Sequence, residues 1–367
     1  MFFRCSKKPA DMARPLRVLL VSTPVAPLGS GHGGGVEQSV KNMALVLTQR
    51  GHRVQVVAPQ GSKLPQCDLV RISGTLQPSA ITATSAQHLR LPKNSVLENM
   101  WRYAHAQQNC FDVAVNFAYD HLPFECSLFF EKPIGHLVSM AAIQAPMIRM
   151  IGQQLKLFKN TVAMHSRTQA LSFPHGKKAV VIYMGLDLEQ FPFYSKAKPE
   201  LAWTGRICKE KGLHYALAAA QLCGLPLNVM GVVEDRDYFK KLQARYSKIQ
   251  LKYHGFIANT RLHHYLGSCQ AFLFTPVWHG DGLPWVLAEA LACGVPVISY
   301  RDGVQKEIIT HGKTGYLVKR GSSTALAKAI QNVPRLNRRA CRKSVEKTLS
   351  LTAFGQRAER WLLGLVE

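Results

Sequence analysis

Acidic residues are scarce in this chain of 367 residues: 22 Asp and Glu stand against 46 Lys and Arg, a formal net charge of +24. This excess of positive charge favours phosphorylated ligands, anionic membrane surfaces or polyanions as partners. The basic residues are spread along the chain, and no nucleic-acid-binding module accompanies them. We therefore expect a solvated basic surface, no nucleic-acid partner and at most weak association with anionic membranes.

Paired cysteines, long apolar runs and a secretory signal are also absent. The nine cysteines are odd in number and include no Cys-x-x-Cys pair, which predicts free thiols in a reducing compartment. No apolar stretch approaches the length of a membrane span, and the basic tail at 1–15 has no apolar core segment. We expect a cytoplasmic protein.

The length and the hydrophobic content of 47% are sufficient for two packed domains. Apolar β-rich runs alternate with helical patterns from Leu16 and again from Leu201, which is typical of doubly wound parallel sheets. We predict an α/β protein with two Rossmann-like domains facing a cleft. Its parts are the tail (1–15), an N-terminal domain (16–190), a Pro- and Lys-rich linker (191–199), a C-terminal domain (200–352) and a final helix (353–367).

The segment Asp281–Pro296 (DGLPWVLAEALACGVP) predicts a loop followed by a short apolar helix. Pro284 suits the first helical position, and the free N–H groups of a helix start attract anions. Asp281 precedes the helix and Glu289 lies inside it, so two carboxylates flank one anion site and can accept hydrogen bonds from sugar or ribose hydroxyls. A turn aspartate and a surface glutamate are an equally good interpretation of this segment alone.

A second segment, Thr204–Gly212 (TGRICKEKG), places Arg206 and Lys211 between a strand end and a helix start. Two cations here suit a pyrophosphate whose charge grows as a nucleotide departs, although a solvated basic turn is the alternative. No Asp-x-Asp pair directly follows a strand pattern, and no side chain presents itself as a covalent nucleophile. We expect metal-independent chemistry without a cofactor.

Together with Gly34-Gly35-Val36-Glu37, these motifs resemble the family 4 retaining glycosyltransferases of the GT-B fold, over about 16–318. The resemblance implies a hexosyltransferase that uses a UDP-sugar and whose leaving phosphate takes the proton of the acceptor. It assigns catalytic roles to Arg206 and Lys211 at the diphosphate and to Asp281 at the donor sugar. The other donor-binding residues that it implies are Glu289 at the ribose and Gly34, Gly35, Gly205, Ile257, Gly282 and Leu283.

The chain departs from the family pattern at two motif positions and at a histidine. Asp281 and Pro284 stand where the family usually has Glu and Gly, so we expect the donor sugar to be held differently. The family's histidine falls near Ser139, with His136 three residues earlier. A hydrogen-bonded interior histidine is the alternative interpretation of His136.

Two N-terminal segments, 21–37 and 116–123, resemble bacterial glucosyltransferases that transfer glucose from UDP-glucose to tetrahydrobiopterin or related pteridines. Asp120 suits the adjacent N–H groups of a pterin, and Phe117 or Tyr119 suits stacking on its ring, with core packing as the alternative for both aromatics. The predicted acceptor site comprises Asn116, Phe117, Tyr119, Asp120, His136 and Ser139.

Two further functions remain open at this point, and the oligomeric state is not determined by any pattern. A peripheral membrane enzyme that glycosylates a lipid or a polysaccharide precursor would use the basic surface for docking. A basic nucleic-acid-binding protein would use the charge directly and would need neither Asp281 nor Glu289.

Overall fold

The computed structural model describes residues 14–32, 34–65, 67–79, 91–277 and 283–367. Two of the predicted donor-binding residues, Asp281 and Gly282, lie outside these ranges. The described chain forms two parallel sheets whose strands alternate with helices along the sequence. The predicted α/β class with two Rossmann-like domains is therefore confirmed.

The sheet of the N-terminal domain has the strand order β3-β2-β1-β4-β5-β6-β7, all parallel. The order reverses between β1 and β4, and ligands of such sheets bind beyond the carboxyl ends of the strands at the reversal. The strands are β1 Arg17–Val21, β2 Arg53–Pro59, β3 Asp68–Ile72, β4 Val113–Asn116, β5 Ile134–Val138, β6 Val162–Met164 and β7 Val180–Val181.

Three of the helices described in this domain begin at a polar side chain that caps them. Ser95, Asp120 and Ser166 each accept a hydrogen bond from a backbone N–H in the first turn, which satisfies donors that have no partner inside the helix. The helices are α1 Gly34–Gln49, α2 Val96–Ala106, α3 His121–Cys126, α4 Ala145–Leu157 and α5 Arg167–Leu171.

The C-terminal domain repeats this plan with the strand order β10-β9-β8-β11-β12-β13. Its strands are β8 Lys198–Thr204, β9 Leu227–Met230, β10 Leu251–Tyr253, β11 Cys269–Phe274, β12 Val297–Tyr300 and β13 Gly315–Val318. The helices are α6 Leu213–Cys223, α7 Arg236–Arg245, α8 Asn259–Leu266, α9 Trp285–Ala292, α10 Gln305–Ile308, α11 Ser323–Asn332 and α12 Arg338–Thr348, followed by α13 Leu351–Val366.

The sequence pattern found the central strands and missed two edge strands. Every residue of β4, β5 and β12 is buried, because helices cover both faces of the sheets, and such strands are apolar throughout. The missed strands, β3 and β13, lie at sheet edges and carry half-buried or exposed residues, which weakens the apolar signal. In addition, β8 begins at Lys198, inside the segment predicted to be a linker.

The final helix, α13, packs on the N-terminal domain although it follows the C-terminal domain in sequence. Phe354, Ala358, Trp361 and Leu362 belong to the same apolar core as β1, β4 and α1. The Trp361 indole N–H donates to the carbonyl of Asn160 at 2.7 Å. This helix therefore links the end of the C-terminal domain to the core of the N-terminal domain.

Candidate functional site

The carboxyl ends of the N-terminal strands open onto a cleft that faces the start of α9. Three cavities occupy this cleft, and Gly35 lines all three. A Cβ atom built on Gly35 would lie only 3.0 Å from the indole nitrogen of Trp285, so the start of α1 and the start of α9 are in close contact. Glycine at this position allows the two domains to meet.

The three cavities have different walls. The α1 cavity, about 600 Å³, lies between α1, residues 186–191 and α9. The N-terminal cavity, about 290 Å³, lies beyond the ends of β1, β4 and β5. The junction cavity, about 300 Å³, lies between the ends of β5 and β6 and residues 283–285.

Glu289 is the buried acid of the cleft. It lies on α9 and is only 4% exposed, yet it lines the α1 cavity together with Lys41 and Lys63. Burial raises the pKa of the Glu289 carboxyl to about 7. Burial is the only influence on this pKa, and among the described residues the Glu289 carboxylate has no hydrogen-bond or ion-pair partner, so a group with hydroxyl or N–H donors would gain most by binding there.

Arg206 and Lys211 do not line the cavity that Glu289 lines. The half-exposed Arg206 guanidinium, in the loop after β8, pairs with Glu210 and with Glu234, which follows β9. Lys211 ends the 3-10 turn Lys209–Lys211. The next residue, Gly212, has φ of 70° and approaches the carbonyl of Thr275 so closely that a Cβ would lie 2.0 Å from it, which places this turn beside the end of β11.

Three other residues predicted to bind the donor lie on loops of the C-terminal domain. The Gly205 carbonyl packs against Gly231, where a Cβ would lie 1.8 Å away, so the loops after β8 and β9 are in contact. Leu283 is buried in the apolar cluster beneath α9, and the half-buried Ile257 packs against the same cluster. Of these three, only Leu283 lines a cleft cavity, the junction cavity.

Four of the six predicted acceptor-binding residues line the N-terminal cavity: Phe117, Tyr119, Asp120 and Ser139. Asp120, however, caps helix α3, because one carboxylate oxygen accepts the Leu122 N–H at 3.1 Å. Its other oxygen accepts a hydrogen bond from Gln77 Nε2 at 3.0 Å. A carboxylate that is engaged on both oxygens is poorly suited to the bidentate contact that the sequence predicted.

His136 and Asn116 lie beneath the cleft and line none of its three cavities, in disagreement with their predicted contact with the acceptor. The His136 ring is fully buried and stacks on Phe124 with centroids 4.0 Å apart. Its nitrogens lie 2.9 Å from Ser127 Oγ and 3.3 Å from Asn116 Nδ2, and burial lowers its pKa to about 3. His136 is therefore a hydrogen-bonded interior histidine.

The histidine that does reach the cleft is His165, which the sequence analysis did not select. It follows β6 directly and lines the junction cavity with Ser139. Its Nε2 lies 3.0 Å from Ser139 Oγ, and its Nδ1 lies 2.9 Å from the carbonyl of Tyr183. A signal was available, because polar residues just after a buried parallel strand lie at the ligand-binding edge of the sheet.

Glu307 joins the two domains beside this site. It lies on α10 of the C-terminal domain and accepts the backbone N–H groups of Arg167 at 2.9 Å and Thr168 at 2.6 Å, at the start of α5. The Tyr183 hydroxyl also donates to it at 3.2 Å. A carboxylate at a helix start is stabilised by the helix dipole, so this contact favours the closed cleft.

The C-terminal half matches a known family. Residues 189–348 match the family model described as glycosyl transferases group 1. A putative colanic acid biosynthesis glycosyltransferase, WcaL of Salmonella typhimurium, is 27% identical over 175 residues, which are 44% of this chain and 43% of that protein. The chain thus matches less than half of the length of this curated relative.

Solved structures match nearly the whole chain. The Anabaena protein HepE, solved with UDP and glucose, has a TM-score of 0.72 at 18% identity and covers 95% of this chain and 100% of its own. Sucrose-phosphate synthase of Thermosynechococcus elongatus has a TM-score of 0.76 at 18% identity, with 96% of this chain and 99% of its own covered. At such identities the likeness shows the fold alone, and it confirms the predicted GT-B fold.

The described residues contain neither a candidate membrane-spanning helix nor a candidate metal cluster. No helix among them combines the length and the apolar character needed to cross a membrane. No group of three or more His, Cys, Asp or Glu side chains in the same ranges is arranged to hold a metal ion.

Proposed function

We propose that this protein is a retaining glycosyltransferase that moves a hexose from a UDP-sugar to a hydroxyl group of a small acceptor, without a metal ion or another cofactor. The observation that carries the proposal is the position of Glu289. It is a buried carboxyl, unpaired among the described residues, on the segment that matches the group 1 glycosyl transferases, and it lines a cleft between two Rossmann-like domains.

The donor is assigned to the C-terminal wall of the cleft. Ionised Glu289 would accept hydrogen bonds from ribose hydroxyls, and Lys211 and Arg206 would neutralise the diphosphate as its charge grows. Arg206 has to leave Glu210 and Glu234 to do so, which costs little because exposed ion pairs are weak. Support for UDP comes from HepE, whose structure was solved with UDP and glucose.

The chemistry follows from where the charges lie. The bond between the sugar and the diphosphate breaks while the acceptor oxygen attacks the same face of the sugar, and the leaving phosphate takes the acceptor proton. The predicted contact of Asp281 with the donor sugar belongs to this proposal. Close contact of Gly35 with Trp285 would exclude water and so limit hydrolysis of the donor.

For the acceptor we propose a polyhydroxylated, sugar-like molecule in the N-terminal cavity. Gln77 lines this cavity, and its Oε1 is buried without a partner among the described residues, so it suits a hydroxyl donor. The names of WcaL and of sucrose-phosphate synthase, which refer to saccharide synthesis, support the same class. The pteridine predicted from sequence is the second candidate, and the engaged oxygens of Asp120 weigh against it.

The two remaining alternatives have less support. A membrane-bound lipid acceptor would rest on the net charge of +24 alone. A nucleic-acid-binding role leaves the match to glycosyl transferases and the buried Glu289 unexplained.

The test is a product screen with the purified protein. UDP-sugars are supplied one at a time with oligosaccharides, monosaccharides or tetrahydrobiopterin, and released UDP and the glycoside mass are measured with and without EDTA. We expect UDP release with a hydroxylic sugar acceptor and the same rate in EDTA. A pterin glycoside would restore the narrower prediction, whereas no UDP release from any pair would overturn the donor assignment.

A further inference from the structure

Ser139 and His165 form a rigid hydrogen-bonded pair in the junction cavity. Gln169 holds both residues: its Oε1 accepts the backbone N–H of His165 at 2.9 Å. Its Nε2 donates to the carbonyls of Val138 at 2.8 Å and Met140 at 2.9 Å, on either side of Ser139. Gln169 is itself buried, so the ends of β5 and β6 are fixed relative to each other.

The hydrogen-bond partners determine where the protons lie. The Tyr183 carbonyl can only accept, so His165 Nδ1 carries the proton. In the neutral ring, Nε2 is then an acceptor, and it takes the hydroxyl proton of Ser139. Burial lowers the pKa of His165, which keeps the ring neutral and unsuited to holding an additional proton.

Ser139 consequently offers the cavity only the lone pairs of its oxygen. The side chain is half-buried and lines both the junction cavity and the N-terminal cavity, so a ligand in either one is within its reach. Much of the junction wall is apolar, formed by Val36, Met140, Met184, Leu283 and Pro284. In such surroundings a single hydrogen bond discriminates well between a donor and an acceptor group.

We propose that Ser139, oriented by His165, is a specificity-determining hydrogen-bond acceptor that receives the proton of a sugar hydroxyl in the cleft. His165 is a positioning residue, because it acts through Ser139. The kinetic test of this inference rests on the proposed glycosyl transfer. The hydroxyl belongs either to the transferred sugar or to the acceptor, and the experiment separates these two sources.

The kinetic test compares Ser139→Ala with Ser127→Ala. Ser127 hydrogen-bonds His136 in the same domain but lies outside the three cavities, so it is a matched control for the loss of a serine–histidine bond. We expect Ser139→Ala to raise one KM, for the UDP-sugar or for the acceptor, by about tenfold with little change in kcat, since one neutral hydrogen bond is lost. The KM that rises identifies the source of the hydroxyl.

Two substitutions at His165 test whether this residue acts through Ser139. The amide of His165→Asn reaches the Nδ1 position and retains the Tyr183 bond, whereas that of His165→Gln reaches the Nε2 position and retains the Ser139 bond. We expect His165→Asn to raise the same KM as Ser139→Ala does, and by a similar factor, whereas His165→Gln should raise it less. The double variant Ser139→Ala/His165→Asn should have a KM no higher than that of Ser139→Ala. Multiplied losses in the double variant would contradict the positioning role.

A measurement without turnover tests the proton arrangement separately. Nitrogen-15 NMR of the histidine rings should show His165 protonated at Nδ1 and unprotonated at Nε2 at neutral pH, and Ser139→Ala should shift the Nε2 resonance. The opposite tautomer, or unchanged KM values in Ser139→Ala of an active enzyme, would overturn the inference. An enzyme that shows the expected tautomer but turns over no UDP-sugar would instead place the failure in the proposed function.

Discussion

The two walls of the cleft are built from different kinds of sequence. The C-terminal wall takes its buried acid, Glu289, from one continuous segment, and the basic turn at Lys211 is also continuous in sequence although Lys211 lines none of the three cavities. The N-terminal wall takes single residues from the ends of separate strands, among them Phe117 after β4, Ser139 after β5 and His165 after β6. A wall made of continuous segments is visible in the sequence, and it is also the part that matches a family model. A wall assembled from distant residues is visible only in part: the sequence selected Phe117 and Ser139, whereas His165 was recognised only in the fold.

The stability of the N-terminal wall should depend most strongly on α13, the last helix of the chain. Trp361 of α13 is 3% exposed and lies within 2.7 Å of the position of a Cβ on Gly135 of β5, so it fills the space behind the wall. We expect Trp361→Ala to lower the free energy of unfolding by about 3–5 kcal/mol in urea titrations. Phe129→Ala, at a 75% exposed aromatic of the same domain, is the control and should change it by less than about 0.5 kcal/mol. Equal effects of the two variants would contradict this dependence.

The C-terminal wall should instead show a trade between stability and activity at Glu289. In the unfolded chain this carboxyl loses its proton near the ordinary glutamate pKa of 4.5, whereas in the folded protein burial raises the pKa to about 7. Stability is therefore lost as the pH rises from 4.5 to 7. We expect Glu289→Gln to equal the wild type in stability at about pH 4 and to exceed it by roughly 3 kcal/mol at about pH 8.

The same Glu289→Gln variant should lose function while it gains stability. Without the charge, the hydrogen bonds that we propose to ribose hydroxyls should weaken, and kcat/KM for the UDP-sugar should fall by roughly 10- to 100-fold. Glu131→Gln, at an exposed glutamate, is the control for both measurements. Full activity of Glu289→Gln would contradict the role of Glu289 in binding the donor. A stability that depends on pH in the variant as it does in the wild type would contradict the raised pKa of Glu289.

The smallest expected effect concerns the contact that holds the two walls together. Glu307→Gln keeps the shape of the side chain but weakens its bonds to the N–H groups of Arg167 and Thr168 at the helix start. We expect kcat/KM to fall by about fivefold and the radius of gyration in X-ray scattering to increase. Glu346→Gln, which removes a partly exposed ion pair with Arg342 within the C-terminal domain, should change neither. Unchanged scattering and activity in Glu307→Gln would show that closure does not require this contact.

His136 and His165 show what the sequence could and could not predict about the site. His136 and His165 both accompany predicted strands, and His136 was selected because a family histidine falls nearby. In the structure His136 is inside β5 and points into the packed interior, where Phe124 and Ser127 contact it. His165 is one residue beyond β6, at the edge where loops can reach a ligand. His136 thus lies two residues before the end of β5 and His165 one residue after the end of β6, and this difference of three positions separates an interior histidine from one at the site.

The sequence alone determined the α/β class, the two parallel sheets, the central strands and the segment that carries Glu289, because periodicity and local motifs encode these features. It did not reveal the edge strands β3 and β13, whose partly exposed residues weaken the apolar pattern. Only the tertiary structure showed that Arg206 pairs with Glu210 and Glu234, that Gln169 fixes Ser139 against His165, and that Glu307 reaches across to α5. The physical reason is that many of these contacts join residues far apart in the chain, and their geometry exists only after both sheets have formed and closed on each other.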